Sequence, residues 1–334
     1  MDKPLRVALL GTGTWASICV KSLREVSGME LVGCYSPLRA EREAFSKETG
    51  IPAVTSEEEL FGLPGLEAVL VLTPNFLHRD QVVRAASRGL HVFVEKPMAS
   101  NPDECRAMIE AARHANVVLF VGHNSRRELR FRLMKKMLED GVLGQPLMAE
   151  ICYTSEAGLL SGNQGWRYDP ERTPSLALAQ IGIHAIDILH SIFGPPEMVQ
   201  AWISNAAMEG EAKDLCLAHL KFGNAVSAMF TNAYCIPRVR SLNILGTTGN
   251  LFSDTETVVY NQKSRSIERE PIQVEQNNTV RDEFEEFVAC CRGEREPETG
   301  GSEGLAAMEV MDAMLRSAAL KSPVDYVSSI RNNP

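Results

Sequence analysis

The segment LRVALLGTGTWA, residues 5–16, decides the fold of this chain. Its first half, residues 5–10, is a short apolar run typical of a strand buried on both faces of a parallel sheet. Its second half, residues 11–16, fits the pattern G-x-G-x-x-G/A directly after that strand. The segment therefore predicts a strand, a tight glycine turn and the start of a helix.

Working outward from this segment, short apolar runs alternate with amphipathic stretches as far as residue 123. The predicted strands cover residues 5–10, 30–35, 67–72, 91–95 and 117–121, and the predicted helices lie near 14–26, 38–49, 78–89 and 102–115. Capping signals at Ser56 and Asn101 mark two of the helix starts. Alternation of this kind predicts a doubly wound parallel sheet, the Rossmann fold.

The pattern changes after residue 123. Helices are predicted at 127–140, 176–193, 279–292 and 302–320, and strands at 147–155, 197–206, 214–222, 224–234, 240–247 and 256–260. The polar stretch 261–278 suits a surface loop or a frayed edge strand. Consecutive strands without helices between them indicate an α+β domain with a large, mostly antiparallel open sheet. We therefore divide the chain into domains 1–123 and 124–334.

Composition limits the classes of function. The 334 residues are 44% hydrophobic and 23% charged, which excludes wholesale disorder, and the net charge of −9 opposes binding to nucleic acid. We expect no membrane association, because no apolar run reaches the roughly 18–20 residues that span a bilayer. The N-terminus does not resemble a signal peptide, and the eight cysteines show no C-x-x-C spacing. We expect a cytoplasmic protein with reduced thiols and no metal site.

The glycine segment predicts a dinucleotide site. The first glycine of such a turn permits its shape, and the second lets a pyrophosphate approach the helix N-terminus. The candidate cofactor-binding residues are Gly11, Thr12, Gly13, Thr14 and Trp15. A glycine-rich turn without any ligand is the alternative interpretation.

The end of the second strand bears on the choice of cofactor. An acidic residue there would hold the adenosine ribose of NAD, but the position falls on Ser36 and no Asp or Glu lies between Leu31 and Ala40. Arg39 and Arg42 follow closely, and a hydroxyl with a nearby guanidinium suits a 2′-phosphate. We predict NAD(P)(H) with a preference for NADP(H). The alternative is that both arginines are ordinary solvated helix residues.

Further motifs follow in a specific order. These are Thr73-Pro74-Asn75 with His78, Glu95-Lys96-Pro97, Gly122-His123-Asn124 with Arg126, and Gly182-x-His184-x-x-Asp187. The first two follow predicted parallel strands at their carboxyl ends, where open α/β sheets bind ligands. Together with residues 11–16, the set resembles the glucose–fructose oxidoreductase / inositol dehydrogenase (Gfo/Idh/MocA) family from end to end.

The resemblance implies an NAD(P)-binding Rossmann domain over 1–123 and a domain over 124–334 that binds substrate and forms the oligomer contacts. It implies hydride transfer at a carbohydrate, cyclitol or related polyol carbon. Lys96 matches the family's active-site lysine and His184 its catalytic histidine. Many members carry an aspartate four residues before that histidine, where this chain has Gln180. The usual diglycine before that position is also absent.

Other site residues are assigned with the same resemblance in mind. Thr73, Pro74, Asn75, His78 and Glu95 join the predicted cofactor site, although His78 could merely cap a helix. The predicted substrate-binding residues are Gln180, Arg126, Trp166, Arg167 and Asp187.

A short helical stretch would align the chemistry. Gln180, His184 and Asp187 stand at i, i+4 and i+7 and should share one helix face. Imidazole can accept an alcohol proton near neutral pH, whereas a glutamine amide cannot ionise and can only hydrogen-bond. We therefore interpret His184 as the general acid/base, with a satisfied helix histidine as the alternative. Asp187 suits a structural partner better than a base.

We predict an NAD(P)-dependent oxidoreductase of a sugar or polyol that forms a homodimer or homotetramer. One alternative is a nucleotide-binding sensor or regulator without turnover, suggested by the missing aspartate and diglycine. Another is a reductase of a non-sugar carbonyl or a conjugated bond.

Overall fold

The computed structural model describes residues 3–160, 165–223 and 225–326. The chain divides into two compact units. The first contains the residues up to 124 together with 278–305, and the second contains 125–277 and the described residues from 306 onward. Within these described ranges, no helix is both long and apolar enough to cross a membrane.

The first unit is built on a five-stranded parallel sheet. Its strands are β1 (Leu5–Leu10), β2 (Met29–Tyr35), β3 (Ala68–Val71), β4 (His91–Glu95) and β5 (Leu119–Gly122), in the order β2-β1-β3-β4-β5. The intervening helices are α1 (Thr14–Leu23), α2 (Arg39–Thr49), α3 (Glu57–Phe61), α4 (His78–Ala86) and α5 (Pro102–Ala115). The predicted doubly wound sheet is confirmed, because these strands are buried apolar runs that need cover on both faces.

The second unit is built on a nine-stranded sheet. The strands are β6 (Pro146–Thr154), β7 (Pro196–Ser204), β8 (Leu215–Phe222), β9 (Ser227–Ala233), β10 (Arg240–Gly246), β11 (Gly249–Ser253), β12 (Val258–Lys263), β13 (Glu270–Gln273) and β14 (Val324–Asp325). Their order is β13-β12-β11-β10-β6-β9-β8-β7-β14, and only the β6–β9 pair is parallel. The mostly antiparallel open sheet is therefore confirmed.

Two short strands, β11 and β14, were not predicted, and β13 was predicted only as one of two alternatives. Strand β13 lies within 261–278, so the frayed edge strand rather than the loop describes that part of the stretch. Strand β11 pairs with β10 after the turn at Thr247 and Thr248. These strands have two to five residues, too few to show a clear alternation of apolar and polar side chains.

The remaining helices are α6 (Leu129–Glu139), α7 (Ala157–Leu160), α8 (Ile183–Phe193), α9 (Thr279–Cys291) and α10 (Gly301–Leu320). The predicted helix over 176–193 is one continuous helical segment. It is interrupted by a π-helical turn at Leu178–Gly182, and regular α-helix resumes at Ile183. Gly182 packs tightly there, since a Cβ on it would lie 2.6 Å from Asn232 Oδ1.

The chain returns to the first unit after residue 277. The rings of Phe284 and Phe287 pack on Phe93 at centroid distances of 4.7 and 5.8 Å. Thr299 accepts a hydrogen bond from the Val121 N–H through its carbonyl and donates its hydroxyl to the Val121 carbonyl, both at 2.7 Å. Residues 278–305, which the sequence placed in the second domain, thus complete the core of the first unit.

We expect Phe287→Ala to destabilise the first unit by about 3–5 kcal/mol, because Phe287 is fully buried in that aromatic cluster. Leu320→Ala is the control, since Leu320 is 65% exposed and its loss should cost no more than about 0.5 kcal/mol. Chemical denaturation, with hydrogen exchange of the β4 and β5 amides, measures both. Equal stability of the two variants would contradict the assignment of residues 278–305 to this core.

Candidate active site

The glycine loop leaves open space above the start of α1. Gly11 adopts φ 101°, and a Cβ there would lie 2.7 Å from the Leu72 carbonyl oxygen, so glycine is required. A Cβ at Gly13 would have no other heavy atom within 4 Å, and Gly13 caps α1 without a side-chain hydrogen bond. The buried hydroxyl of Thr12 has no hydrogen-bond partner among the described residues. These features fit a dinucleotide pyrophosphate at the N-terminus of α1, which begins at Thr14.

The two arginines that follow β2, Arg39 and Arg42, differ in burial and in hydrogen-bond partner. Arg42 is buried, and its Nη1 donates to the Ser36 carbonyl at 2.6 Å. The side chain of Arg39 is 81% exposed and donates to Glu43 Oε1 at 2.6 Å. Ser36 is itself buried, and its hydroxyl oxygen accepts the Leu38 N–H at 3.4 Å. The structure thus brings Arg42 against Ser36 and leaves Arg39 in solvent.

The carboxylate of Glu95 joins the end of β4 to the glycine loop. The indole Nε1 of Trp15 donates to Glu95 Oε1 at 2.6 Å, and the backbone N–H of Lys96 donates to Oε2 at 3.1 Å. Burial raises the pKa of Glu95, while the Lys96 charge and the two hydrogen bonds act in the opposite direction. This buried carboxylate fixes the backbone that carries Lys96 relative to the loop that would hold the cofactor.

His78 ties together the loops that follow β3 and β4. Its Nε2 lies 2.8 Å from the Thr73 carbonyl oxygen, and its Nδ1 lies 3.1 Å from the Pro97 and 3.2 Å from the Met98 carbonyl oxygens. Burial lowers the pKa of His78, and these carbonyl contacts only partly offset that effect. Both ring nitrogens therefore contact the protein backbone. The Lys96–Pro97 peptide bond within this loop is cis.

The same corner contains the rest of the Thr-Pro-Asn motif. Thr73 donates its hydroxyl to Gln81 Oε1 at 2.5 Å. Pro74 precedes the short 3-10 turn Asn75–Leu77, in which Asn75 is buried. The predicted cofactor residues that follow β3 and β4 therefore lie at one edge of the parallel sheet.

In the second unit, His184 lies in the first turn of α8 and is only 8% exposed. Gln180 precedes it within the π-helical turn, a local widening that is frequent at functional sites. The Gln180 Oε1 accepts a hydrogen bond from Arg167 Nε at 3.0 Å. The Arg167 guanidinium carbon lies 4.5 Å from the centroid of the Trp166 ring. The structure thus brings together three of the predicted substrate residues, Gln180, Trp166 and Arg167.

The other two predicted substrate residues, Arg126 and Asp187, form a buried ion pair. Arg126 Nε donates to Asp187 Oδ2 at 2.8 Å, and Nη2 donates to Oδ1. The two side chains are 7% and 1% exposed. This bidentate pair holds the 3-10 turn Asn124–Arg127 to α8, which agrees with the structural role expected of Asp187. Their assignment to the substrate site stays a prediction.

Two buried polar residues lie beside these elements, Asn232 and Tyr153, and sequence reasoning missed Asn232. Asn232 is buried on β9, donates from Nδ2 to the Tyr153 carbonyl at 2.8 Å, and packs on Gly182. The buried Tyr153 hydroxyl has no hydrogen-bond partner among the residues described, and burial raises the pKa of that phenol. An asparagine among the covered positions of an alternating strand was the available signal, since buried amides need partners.

Potential metal ligands do not cluster in the described ranges. No group of three or more His, Cys, Asp or Glu side chains is placed there to hold a metal ion. All eight cysteines are free thiols.

Comparison with known protein families covers most of the chain. Residues 5–123 match the family described as "Oxidoreductase family, NAD-binding Rossmann fold", and residues 131–252 match the "GFO/IDH/MocA C-terminal domain". A 1,5-anhydro-D-fructose reductase of Ensifer adhaerens is 29% identical over 94% of this chain and 96% of its own length. A D-xylose 1-dehydrogenase [NADP(+)] of Haloarcula marismortui is 25% identical over 97% and 93%.

A solved structure gives the same result. The aldose-aldose oxidoreductase of Caulobacter crescentus, complexed with glycerol, superposes with a TM-score of 0.87 at 26% identity, covering 97% of this chain and 100% of that one. The ordered motifs, the two sheets and both family matches agree, and the chain belongs to the Gfo/Idh/MocA family of NAD(P)-binding oxidoreductases.

Proposed function

We propose that this protein transfers a hydride between a nicotinamide cofactor and a hydroxyl-bearing or carbonyl carbon of a sugar, cyclitol or related polyol. The observation that carries the proposal is the open glycine loop, where Gly13 leaves room for a pyrophosphate at the N-terminus of α1. The family match gives the reaction class. The names of relatives, among them a scyllo-inositol 2-dehydrogenase (NAD(+)) of Bacillus subtilis, support a polyhydroxylated substrate.

A bound nicotinamide supplies the hydride acceptor or donor. His184 accepts the proton of the substrate hydroxyl during oxidation and returns it during reduction, as an imidazole can near neutral pH. Lys96 contributes a positive charge that stabilises negative charge developing in the reaction. Glu95 and Trp15 keep the Lys96 backbone in place through the buried hydrogen bonds described above. Gln180 is neutral and orients its neighbours without taking a proton.

We propose that NADP(H) is preferred over NAD(H). The support is the hydroxyl residue Ser36 where an acidic side chain would hold the ribose of NAD, and the exposed guanidinium of Arg39 three residues on. Arg42 supports this arrangement indirectly, because its bond to the Ser36 carbonyl holds the loop. The 2′-phosphate of NADP(H) would gain a charged partner there.

We also propose a homodimer or homotetramer that associates through the nine-stranded sheet. One face of that sheet carries Met148, Trp202, Leu217 and Met229, which are 45%, 61%, 40% and 48% exposed. Trp202 lies directly opposite Leu217 on the neighbouring strand. Exposed large apolar side chains on a broad sheet favour association, and two-fold dimers are its commonest form. The free thiols support our proposal that the protein works in the reducing cytoplasm.

A non-catalytic nucleotide sensor is the second candidate. It is favoured by Gln180, because a glutamine replaces the ionisable aspartate that many family members have at this position. Turnover of any polyol with NADP+ or NAD+ would exclude it.

We expect His184→Ala to lower turnover by roughly 10²–10⁴-fold with cofactor affinity nearly unchanged, because proton transfer at the substrate oxygen is lost. Lys96→Met should cause comparable damage, because it removes a positive charge that stabilises developing negative charge. Steady-state rates at the nicotinamide absorbance, after a screen of polyols, measure both.

Gln180→Ala provides the comparison, because it removes a neutral hydrogen bond worth only about 0.5–1.5 kcal/mol. Near-normal turnover of His184→Ala on the identified substrate would contradict its role as acid/base. If no polyol is turned over and all three variants bind cofactor like the wild type, the sensor is the correct interpretation.

We expect Ser36→Asp to weaken NADPH binding roughly 5- to 150-fold, since a carboxylate would face the 2′-phosphate. Arg39→Gln should weaken NADPH more than NADH. Ser27→Asp is the matched control, because Ser27 is exposed just before β2, whereas Ser36 follows its other end. The dissociation constants for NADPH and NADH measure these effects. Tighter binding of NADH than of NADPH by the wild type would refute the proposed preference for NADP(H).

We expect Trp202→Glu to shift the protein toward monomers, because the change places a charge on the exposed apolar face. Leu320→Glu adds the same charge at an exposed position of α10 and should leave the assembly intact. Light scattering at micromolar concentration gives the mass. A monomeric wild type would rule out the proposed association.

A further inference from the structure

Arg167 lies beside the π-helical turn as a cation held by two neutral side chains. Its Nε donates to the amide oxygen of Gln180, and its guanidinium lies over the Trp166 ring. Among the residues that the structure describes, no carboxylate forms an ion pair with it. Arg172, five residues further along the same segment, is paired with Asp169 at 3.3 Å. The two arginines therefore differ in whether their charge is compensated.

The guanidinium of Arg167 is held on two sides. The hydrogen bond from Nε uses the inner edge, and the cation–π contact with Trp166 supports one face. The outer edge, which carries Nη1 and Nη2, makes no hydrogen bond to the described residues, and the side chain is exposed. That edge has the parallel N–H pair that binds a carboxylate or a phosphate through two oxygens.

The hydrogen bond to Gln180 connects Arg167 to the segment that carries His184. Gln180 precedes His184 by one helical turn, so Arg167 is fastened to the same segment that carries the proposed acid/base. An aspartate at position 180 would pair with Arg167 and cancel its charge. Glutamine accepts the same hydrogen bond and leaves the full positive charge available to a ligand.

Two tyrosines lie in the electrostatic surroundings of Arg167. Burial raises the pKa of Tyr234, Tyr168 adds to the effect, and the Arg167 charge lowers it. The raised pKa keeps the Tyr234 phenol neutral at physiological pH, so it leaves the guanidinium charge uncompensated.

We propose that Arg167 is a specificity residue, and that this protein acts on a sugar that bears an anionic group, a carboxylate or a phosphate, near the reacting carbon. This inference rests on the proposed function, because it places the anion one turn from His184. The Arg167 outer edge binds the anionic group, and Gln180 and Trp166 hold that edge in position without neutralising it.

The test uses matched probes with the full-length protein saturated with NADP+. D-Glucose is the neutral probe, D-glucuronate carries a carboxylate, and D-glucose 6-phosphate carries a phosphate. Calorimetry gives their dissociation constants, and the nicotinamide absorbance gives kcat and KM where turnover occurs. We expect one of the anionic probes to bind at least about 10-fold more tightly than D-glucose, as a charge-assisted hydrogen bond provides. The stronger of the two identifies the anionic group.

Three variants test whether the preference for an anionic probe depends on the charge of Arg167. Arg167→Gln should remove the preference by raising the KM or Kd of the anionic probe toward that of D-glucose. Gln180→Asp should also remove it, since the new carboxylate pairs with Arg167. Arg172→Gln is the control and should keep the preference, because Arg172 is already paired with Asp169. The preference should also decrease with rising salt, as exposed charges are screened.

The outcomes separate this inference from the proposed function. Equal binding of D-glucose and both anionic probes, or a preference that survives Arg167→Gln, overturns the anionic substrate class. Turnover of D-glucose without such a preference leaves the oxidoreductase intact and refutes the role of Arg167. Tight binding of D-glucuronate without turnover of any sugar supports the anion site and refutes the proposed reaction.

Discussion

The buried carboxylate of Glu95 is the constraint on which the first unit's site depends. It accepts the Trp15 indole N–H from the glycine loop and the Lys96 backbone N–H from the end of β4. A buried carboxylate is costly unless it is hydrogen-bonded, so the two loops are fixed at the distance that satisfies it. His78 adds a second connection, from the Thr73 carbonyl to those of Pro97 and Met98. Loops that follow separate strands thereby form one rigid support for Lys96.

In the second unit, two arginines are bound to the helical segment 178–193 in different ways. Asp187 neutralises Arg126 inside the unit, where an unpaired charge would be strongly destabilising. Gln180 instead holds Arg167 with a neutral amide at an exposed position. The first pair neutralises both charges inside the scaffold. In the second pair the Gln180 amide cannot ionise, so it holds Arg167 without neutralising it.

Long periodic elements were predicted well, and the contacts between distant segments were not. Strands β1 and β4 have the predicted bounds because their apolar runs end at glycine or charged residues. The π-helical turn at 178–182 was missed because its residues have the composition of an ordinary helix. The close packing of Gly182 on Asn232 goes with this turn, and it is visible only in three dimensions. The pairing of Arg42 with Ser36 was likewise missed, because α2 begins at Arg39 and turns the next arginine back toward the strand.

The sequence by itself determined the order of the two sheets along the chain, the glycine loop, and the ordered motifs that place the chain in its family. These features are local, since they depend on hydrophobic periodicity and on residues a few positions apart. Only the tertiary structure decided that residues 278–305 complete the first core, that Trp15 meets Glu95, that Arg126 pairs with Asp187, and that Arg167 rests on Gln180. Each of these joins segments at least 13 positions apart, and burial and partner geometry in three dimensions select such pairs.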